Sequence, residues 1–380
     1  MIPYGKQYID SADTEAVAEV LASEWLTQGP KVREFERALE HYCGAKHVVC
    51  VANGAAALHV SCMALGLSST DWLWTSPNSF VASANCARYC GAKVDFVDID
   101  PSTRNICPVK LEQKLALAER DGVLPKIVVA VHFAGLPCDM SSIRQLSKRY
   151  GFAVIEDAAH AIGGHYLGNK IGSCQFSDAC VFSFHPVKNM TSAEGGAIAT
   201  NSDEICLRLR LLSTQGLERD EENFVSSGTP SWRYEQQLLG FNYRLSDVHA
   251  ALGLSQLAKL DGFVSVREKH VVRYQQLLNS VPSISSQVHQ AGVAWHLFVI
   301  EVESTKRDHL FTKLRNHGVW VNLHYFPIHL QPYYRDLGFR EGDFPVAELY
   351  SKRAISLPLY VGLSETDQDR VITLMGEALK

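Results

Sequence analysis

The chain has 380 residues, of which 46% are hydrophobic and 20% are charged, values ordinary for a globular protein large enough for two subdomains. Its 36 basic and 41 acidic side chains give a net charge of −5 without any basic block, which argues against nucleic acid or an anionic membrane as the main partner. Apolar runs such as residues 127–131 are far shorter than the ~20 residues of a membrane span. With no secretory signal at the start, a cytoplasmic location is expected.

The N-terminal half predicts two helices followed by alternating strands and helices. The first helix is expected at residues 13–23, and the second begins near Pro30, a residue suited to a first helical turn. Short buried strands are expected at residues 48–51, 73–75, 94–97, 127–131, 152–155, 179–182 and 197–200. Continuous apolar strands separated by helices indicate an α/β fold with a mostly parallel sheet covered on both faces.

The C-terminal half has a different pattern. Polar residues 215–237 predict a long loop, and a long helical region extends from residue 246 past residue 274. Beyond it we expect a strand at 295–300, a helix at 309–317, a strand at 319–321 and a closing helix at 365–379. These patterns predict two domains, a large α/β domain of residues 1–260 and a smaller α+β domain of residues 261–380.

Polar side chains stand where the predicted strands end, which is where ligands of parallel sheets bind. Asn53, Asp157 and Ser183 occupy such ends, and Lys188 lies in the turn that follows Ser183. A carboxylate and an amine at neighbouring strand ends suit pyridoxal phosphate, which needs a lysine for a covalent imine link and an anion against its pyridinium nitrogen. The alternative is an ordinary surface lysine and an aspartate in a turn.

Four motifs favour the first interpretation. They lie at residues 156–161, 183–188, 194–196 and 240–247, and together they resemble the DegT/DnrJ/EryC1/StrS family of sugar aminotransferases. The resemblance extends from Ile2 to the closing helix. It implies a fold-type I aminotransferase that depends on pyridoxal phosphate. Three further segments resemble the members of the family that serve pseudaminic acid biosynthesis: residues 2–7, 25–30 and 323–328.

The resemblance implies a catalytic pair, Lys188 and Asp157. Lys188 would hold the cofactor covalently and then move protons as general base and acid. Dehydratases of the same family carry His at this position, so the lysine favours transamination. Asp157 would bind the protonated pyridine nitrogen and keep the ring an electron sink. His160, where many members have Gln, would contact the phenolic oxygen of the cofactor, although a lone histidine is more often structural.

The remaining cofactor contacts would hold the phosphate and the ring. Ser183 is expected on the phosphate, together with the free backbone N–H groups of Gly54, Ala55 and Ala56 at a helix start. Many relatives carry Thr or Ser where this chain has Ala55 or Ala56, so phosphate binding would depend more on Ser183 and on a partner subunit. Phe80 is expected to stack on the cofactor ring, with a place in the hydrophobic core as the alternative.

Asn242 stands in a motif that family members insert into the neighbouring subunit, which implies a homodimer with shared active sites. The same comparison implies the lining of a sugar-nucleotide site, for which simple packing of aromatic loops is the alternative. The expected lining residues are Tyr4, Glu24, Trp25, Leu26, Thr27, Gly54, Ser183, Asn242, Asn322, Leu323, His324 and Tyr325.

The leading hypothesis is transfer of the amino group of L-glutamate, which leaves as 2-oxoglutarate, to C4 of a UDP-2-acetamido-2,6-dideoxy-4-keto-hexose of the pseudaminic acid pathway. A second keeps the chemistry and changes the substrate to another nucleotide-linked 3- or 4-keto sugar. A third is a protein that binds pyridoxal phosphate without turnover, against which the joint presence of Lys188, Asp157 and Ser183 argues. The ten cysteines contain no C-x-x-C pair, so neither a metal site nor a disulfide is expected.

Overall fold

The computed structural model describes residues 1–226, 230, 232–281, 283–287 and 290–379. The α-helices of this part of the chain are α1 (Ser11–Leu21), α2 (Pro30–Cys43), α3 (Gly54–Ala64), α4 (Ala82–Tyr89), α5 (Pro108–Asp121), α6 (Met140–Tyr150), α7 (Asp203–Ser213), α8 (Asp247–Leu257), α9 (Leu260–Leu278), α10 (Ser304–Asn316), α11 (Pro332–Arg335), α12 (Pro345–Arg353) and α13 (Glu365–Leu379). The strands are β1 (His47–Val51), β2 (Trp72–Thr75), β3 (Lys93–Phe96), β4 (Ile127–Val131), β5 (Ala153–Asp157), β6 (His165–Tyr166), β7 (Asn169–Lys170), β8 (Ala179–Ser183), β9 (Gly196–Thr200), β10 (Leu217–Glu218), β11 (Glu235–Gln236), β12 (Ser285–Ser286), β13 (Phe298–Glu301) and β14 (Ala354–Leu357).

Seven strands form a central sheet in the order β1-β9-β8-β5-β4-β2-β3. Neighbours from β8 to β3 pair in parallel, whereas β9 runs antiparallel to both β1 and β8. Each predicted strand of this sheet is present, with ends that differ by at most two residues. The prediction of an α/β fold with a mostly parallel sheet is therefore confirmed, with β9 as its one reversed strand among the described residues.

Helices cover both faces of the sheet because successive side chains of a strand point to opposite sides. Val129 of β4 packs in one core with α3, α4 and α7, while its neighbour Val128 packs in another with α5 and α6. A third core joins Phe35 of α2 to Phe182 of β8. Residues on both faces are buried, which explains why these strands are apolar throughout instead of alternating.

The C-terminal region has its own core, in which α9, α10 and α13 pack on β13 and β14, and Ile2 joins them from the N-terminus. Strands β12, β13 and β14 form an antiparallel sheet. The closing helix lies where it was predicted, and the helix predicted at 309–317 begins five residues earlier. The domain division between residues 260 and 261 stays a prediction.

Two strand predictions for the second half were wrong in detail. The strand expected at 295–300 begins only at Phe298, because the His296 backbone N–H donates to the Ala134 carbonyl and not to a strand. The strand expected at 319–321 is a single parallel bridge between Ile2 and Val319. The helical region predicted from residue 246 past residue 274 is present and consists of two helices, α8 and α9, whereas β14 was not predicted.

The loop predicted at 215–237 contains the short strand pair β10 and β11, and residues 227–229 and 231 of that prediction lie outside the described part. Among the described helices, none combines the length and the apolar character required to cross a membrane.

Candidate active site

A cavity of about 680 Å³ lies at the carboxyl ends of β1, β4, β5 and β8, and residues from both ends of the chain complete its wall. Of the predicted site residues, it brings together Tyr4, Gly54, Ala55, Phe80, Asp157, His160, Ser183, Lys188, Asn322, Leu323, His324 and Tyr325. Such a volume is typical of sites for small molecules and cofactors.

Lys188 lies in the turn after β8, where its backbone N–H donates to the His185 carbonyl at 2.9 Å. Burial lowers the pKa of Lys188 to about 8, and the negative charge of Asp157 acts in the opposite direction. Desolvation disfavours the charged ammonium form, so part of the amine is unprotonated near neutral pH. Such an amine can act as a nucleophile and as a base.

Asp157 ends β5 and is only 5% exposed. Its Oδ2 accepts a hydrogen bond from Ser83 Oγ at 2.6 Å, and its Oδ1 accepts one from the Ala159 N–H at 3.2 Å. The Ser83 hydroxyl lies 2.7 Å from that of Ser79. The carboxylate is thus held from two sides by uncharged donors.

His160 is buried, and the donors around it define its tautomer. The Ala134 backbone N–H can only donate, and it lies 3.3 Å from His160 Nδ1. Nδ1 therefore carries no proton, and Nε2–H donates to the Tyr325 hydroxyl at 3.0 Å. Burial above all, with Lys188 and His324 nearby, lowers the pKa of His160 well below its usual range, so the ring is neutral.

Residues 322–325, from the C-terminal part of the chain, form part of the cavity wall. His324 Nδ1 lies 2.8 Å from Ser356 Oγ, and the Tyr325 N–H donates to Asn78 Oδ1 at 3.2 Å. Burial, with a smaller effect of Lys188, lowers the pKa of His324 to about 3. Tyr4 packs against His324 with ring centroids 5.5 Å apart. Two neutral histidines and two tyrosines therefore stand around one lysine and one aspartate.

The turn before α3 is pressed against the sheet. Asn53 caps the helix by accepting from the Ala56 N–H at 2.8 Å, so this N–H is engaged and Ala56 does not line the cavity. Gly54 and Ala55 do line it, at the N-terminus of the helix. A Cβ at Gly54 would stand 2.9 Å from Ser183 Cβ, so only glycine lets the turn approach β8 so closely.

Asn242 and the segment 24–27 do not line the cavity of their own chain. They lie at the protein surface, where Trp25 and Leu26 are about half exposed, at 54% and 49%. The Leu26 carbonyl accepts from the Asp247 N–H at 3.1 Å, so segment 24–27 contacts the motif that contains Asn242.

Sequence reasoning assigned no role to several residues of the cavity. His185 and Glu194 lie within quoted motifs and Ser79 beside Phe80, so a signal was present for these three. Ser83, on α4, and His296, which the sequence placed in a strand, carried none. The further lining residues are Leu58, Ala82, Val131, Ala159, Val181 and Val187, together with Asn53, which the sequence placed at a strand end.

These groups fit pyridoxal phosphate. The cavity contains a buried carboxylate, a lysine of lowered pKa and the Ser183 side chain beside a helix N-terminus. Because Gly54 has no side chain, the N-terminus of α3 can approach Ser183 closely, where a Cβ would stand 2.9 Å from Ser183 Cβ.

Comparison with known proteins agrees with this chemistry. The chain is 39% identical over 387 residues to the spore coat polysaccharide biosynthesis protein SpsC of Bacillus subtilis (strain 168), covering 100% of this chain and 97% of SpsC. Its fold matches Helicobacter pylori PseC, an aminotransferase involved in the biosynthesis of pseudoaminic acid, with a TM-score of 0.91 at 29% identity, covering 100% and 99% of the two chains. Spr1654 from Streptococcus pneumoniae, solved in a PMP form, matches with a TM-score of 0.90 at 28% identity and the same coverage.

The model of the DegT/DnrJ/EryC1/StrS aminotransferase family matches residues 7–376. That span contains the cavity residues from Asn53 to Tyr325 and leaves out only Tyr4 of its wall. The chain therefore belongs to the DegT/DnrJ/EryC1/StrS aminotransferase family and is a sugar aminotransferase that depends on pyridoxal phosphate.

Proposed function

We propose that this enzyme transfers the amino group of L-glutamate to C4 of a UDP-2-acetamido-2,6-dideoxy-4-keto-hexose and releases 2-oxoglutarate. The observation that carries the proposal is the pair of Lys188, with a pKa of about 8, and buried Asp157 in one cavity. The full-length likeness to PseC supports a substrate of the pseudaminic acid type. SpsC is named for the biosynthesis of a spore coat polysaccharide, so a different nucleotide-linked 3- or 4-keto sugar is the alternative.

When bound, pyridoxal phosphate supplies an electron sink for the carbon that loses its proton and carries the amino group between the two substrates. Lys188 is the base that takes the proton from the α-carbon of glutamate and the acid that delivers a proton to C4 of the sugar. A pKa close to the working pH suits both tasks, since the group must exist in both forms.

Other residues of the cavity would hold and orient the cofactor. Asp157 would accept the hydrogen bond of the protonated ring nitrogen, and Phe80, which is 60% exposed in the single chain, would pack against the ring. Ser183 and the N–H groups at Gly54 and Ala55 would bind the phosphate.

Tyr325 also has a defined task in the cavity. Its oxygen accepts from His160 Nε2–H, so its own proton is left to donate to an oxygen of the cofactor or the sugar. His160 would then act on the phenolic oxygen of the cofactor through this hydroxyl. Asn322, Leu323, His324 and Tyr4 complete the sugar side of the wall.

A second copy of the chain would complete the site. Asn242 would reach the phosphate of the partner's cofactor, and residues 24–27 would contact the partner's sugar nucleotide. The apolar side chains exposed on this surface, Trp25, Leu26 and Leu239, support the proposal, because a subunit interface would remove them from water. Leu239 is 79% exposed in the single chain.

The test measures kcat/KM for UDP- and dTDP-linked 4-keto sugars and a dTDP-linked 3-keto sugar, with L-glutamate as donor. The UDP-linked acetamido sugar should be preferred, because a site that pairs with its polar groups rejects analogues that leave those groups unpaired. Tyr325→Phe should reduce this preference, whereas Tyr333→Phe, at an exposed tyrosine away from the cavity, should not.

Two outcomes would contradict the proposal. A dTDP-linked 3-keto sugar with the higher kcat/KM would overturn the substrate and leave the amino transfer intact. An absorbance spectrum of the bound cofactor that does not change on addition of L-glutamate would overturn the amino donor.

A further inference from the structure

Two hydroxyls, that of Ser83 on α4 and that of Ser79 before the helix, lead to Asp157. Ser83 Oγ lies 2.6 Å from Asp157 Oδ2, and Ser79 Oγ lies 2.7 Å from Ser83 Oγ. All three side chains are at most 5% exposed. A carboxylate only accepts hydrogen bonds, so Ser83 donates to Asp157 and its oxygen accepts from Ser79.

Ser83 is held in place by its own turn. Its backbone N–H donates to the Phe80 carbonyl at 3.2 Å, and its carbonyl accepts from Cys86 Sγ at 3.3 Å. The same turn carries the Phe80 side chain into the cavity. One short segment therefore fixes both the carboxylate of Asp157 and the aromatic ring beside it.

We propose that Ser83 is a positioning residue that, supported by Ser79, holds the Asp157 carboxylate ready for the protonated ring nitrogen of pyridoxal phosphate. The bond at Oδ2 and the Ala159 N–H bond at Oδ1 use one lone pair of each oxygen and leave another free for the cofactor. This inference rests on the proposed role of Asp157 in the reaction, and it adds the group that orients it.

Loss of the Ser83 hydroxyl has two expected effects. The carboxylate would have to be ordered when the cofactor binds, which weakens binding of pyridoxal phosphate to the apoprotein by roughly threefold to tenfold. A less well oriented carboxylate would also hold the proton on the ring nitrogen less well. The ring would then withdraw less charge, and the proton on the link between Lys188 and the cofactor would be held more tightly.

The charge of Asp157 also raises the pKa of four other groups, and none of these residues is substituted in the variants. They are Lys188, Tyr325, Cys138 and Cys180.

The experiment compares wild type, Ser83→Ala, Ser83→Thr and Ser79→Ala. Two quantities are measured without any sugar: the dissociation constant of pyridoxal phosphate, and the pH midpoint of the absorbance change of the bound cofactor. Ser61→Ala is the matched control, because Ser61 is a buried helical serine whose hydroxyl donates to the Ala57 carbonyl, away from the cavity.

Ser83→Ala should weaken binding and move the midpoint to higher pH, Ser79→Ala should do so less, and Ser83→Thr should restore both values. Ser83→Ala indistinguishable from Ser61→Ala would overturn the inference, as would a Ser83→Thr variant that folds but behaves like Ser83→Ala. If Ser83→Ala does not fold, an unchanged midpoint in Ser79→Ala overturns it.

Asp157→Asn separates this inference from the function on which it rests. A midpoint that does not respond to Asp157→Asn would remove the proposed role of Asp157, and the inference with it. A midpoint that responds to Asp157→Asn but not to Ser83→Ala would remove the role of Ser83 alone.

Discussion

Replacing Asp157 by Asn should make Lys188 of the apoprotein more reactive towards an amine reagent at neutral pH. Two opposing effects act on this lysine: burial lowers its pKa to about 8, and the charge of Asp157 raises it. Removal of the charge leaves burial unopposed, so the pKa falls below about 8. The perturbation thus tests the electrostatic link between the two residues directly.

The magnitude follows from the fraction of unprotonated amine. At pH 7 a lysine of pKa about 8 is unprotonated in about one molecule in ten, against about one in 2,500 for an ordinary lysine. At equal intrinsic nucleophilicity, Lys188 should therefore react about 200-fold faster at pH 7 than a lysine of ordinary pKa. If Asp157→Asn lowers the pKa by about one further unit, half of the amine is free and the rate rises about fivefold.

The assay is competitive labelling of the apoprotein with a small acylating reagent between pH 6 and 10, with each lysine quantified by peptide mass spectrometry. The wild-type profile of Lys188 should have its midpoint near pH 8, and the profile of Asp157→Asn should lie at lower pH. Exposed Lys148 on α6 is the internal control and should not respond to the substitution. A wild-type midpoint near 10, or a shift to higher pH in Asp157→Asn, would refute the reasoning.

Further substitutions test the site. Lys188→Ala should abolish covalent attachment of the cofactor and turnover while the far-ultraviolet circular dichroism stays unchanged; sustained multiple turnover by this variant would contradict the assignment. Mixing Lys188→Ala with an inactive Asn242→Ala variant should restore part of the activity through hybrid dimers, and full activity in a proven monomer would rule out the shared site. Gly54→Ala should weaken cofactor binding at least tenfold, because its Cβ would stand 2.9 Å from Ser183 Cβ. Gly262→Ala should leave binding unchanged, because a Cβ at that position meets nothing within 4 Å. Titration of each apoprotein with pyridoxal phosphate measures the difference.

The sequence predicts the central sheet well because burial on both faces leaves continuous apolar runs, such as that of β4. It also predicts that Asp157 and Ser183 meet, since the carboxyl ends of parallel strands lie at one edge of the sheet. An apolar run carries no direction, however, so the reversal of β9 was not visible. The short strand β14 was missed because it follows α12 directly, with no turn residues to mark where the helix ends and the strand begins.

The residues that escaped prediction act over long separations in sequence. Ser83 reaches Asp157 from 74 positions away, and an isolated hydroxyl on a helix has no distinctive pattern. His296 lies in an apolar segment that reads as a strand, although its backbone is bonded to Ala134 and its side chain lines the cavity. A single sequence also does not say whether Asn242 serves its own chain or another.

The wall of the cavity combines Tyr4 with Asn53, Lys188 and the segment 322–325, so it draws on nearly the whole length of the chain. During synthesis the ribosome releases Tyr4 early and Tyr325 late, and the Tyr325 hydroxyl that meets His160 arrives 165 positions after its partner. The strands β4 and β5 are therefore synthesised long before the residues that complete the wall of the cavity. Capture of the cofactor in its final setting is therefore a late event in biogenesis, and a translation product that stops before residue 322 carries the reactive lysine without the wall that encloses it.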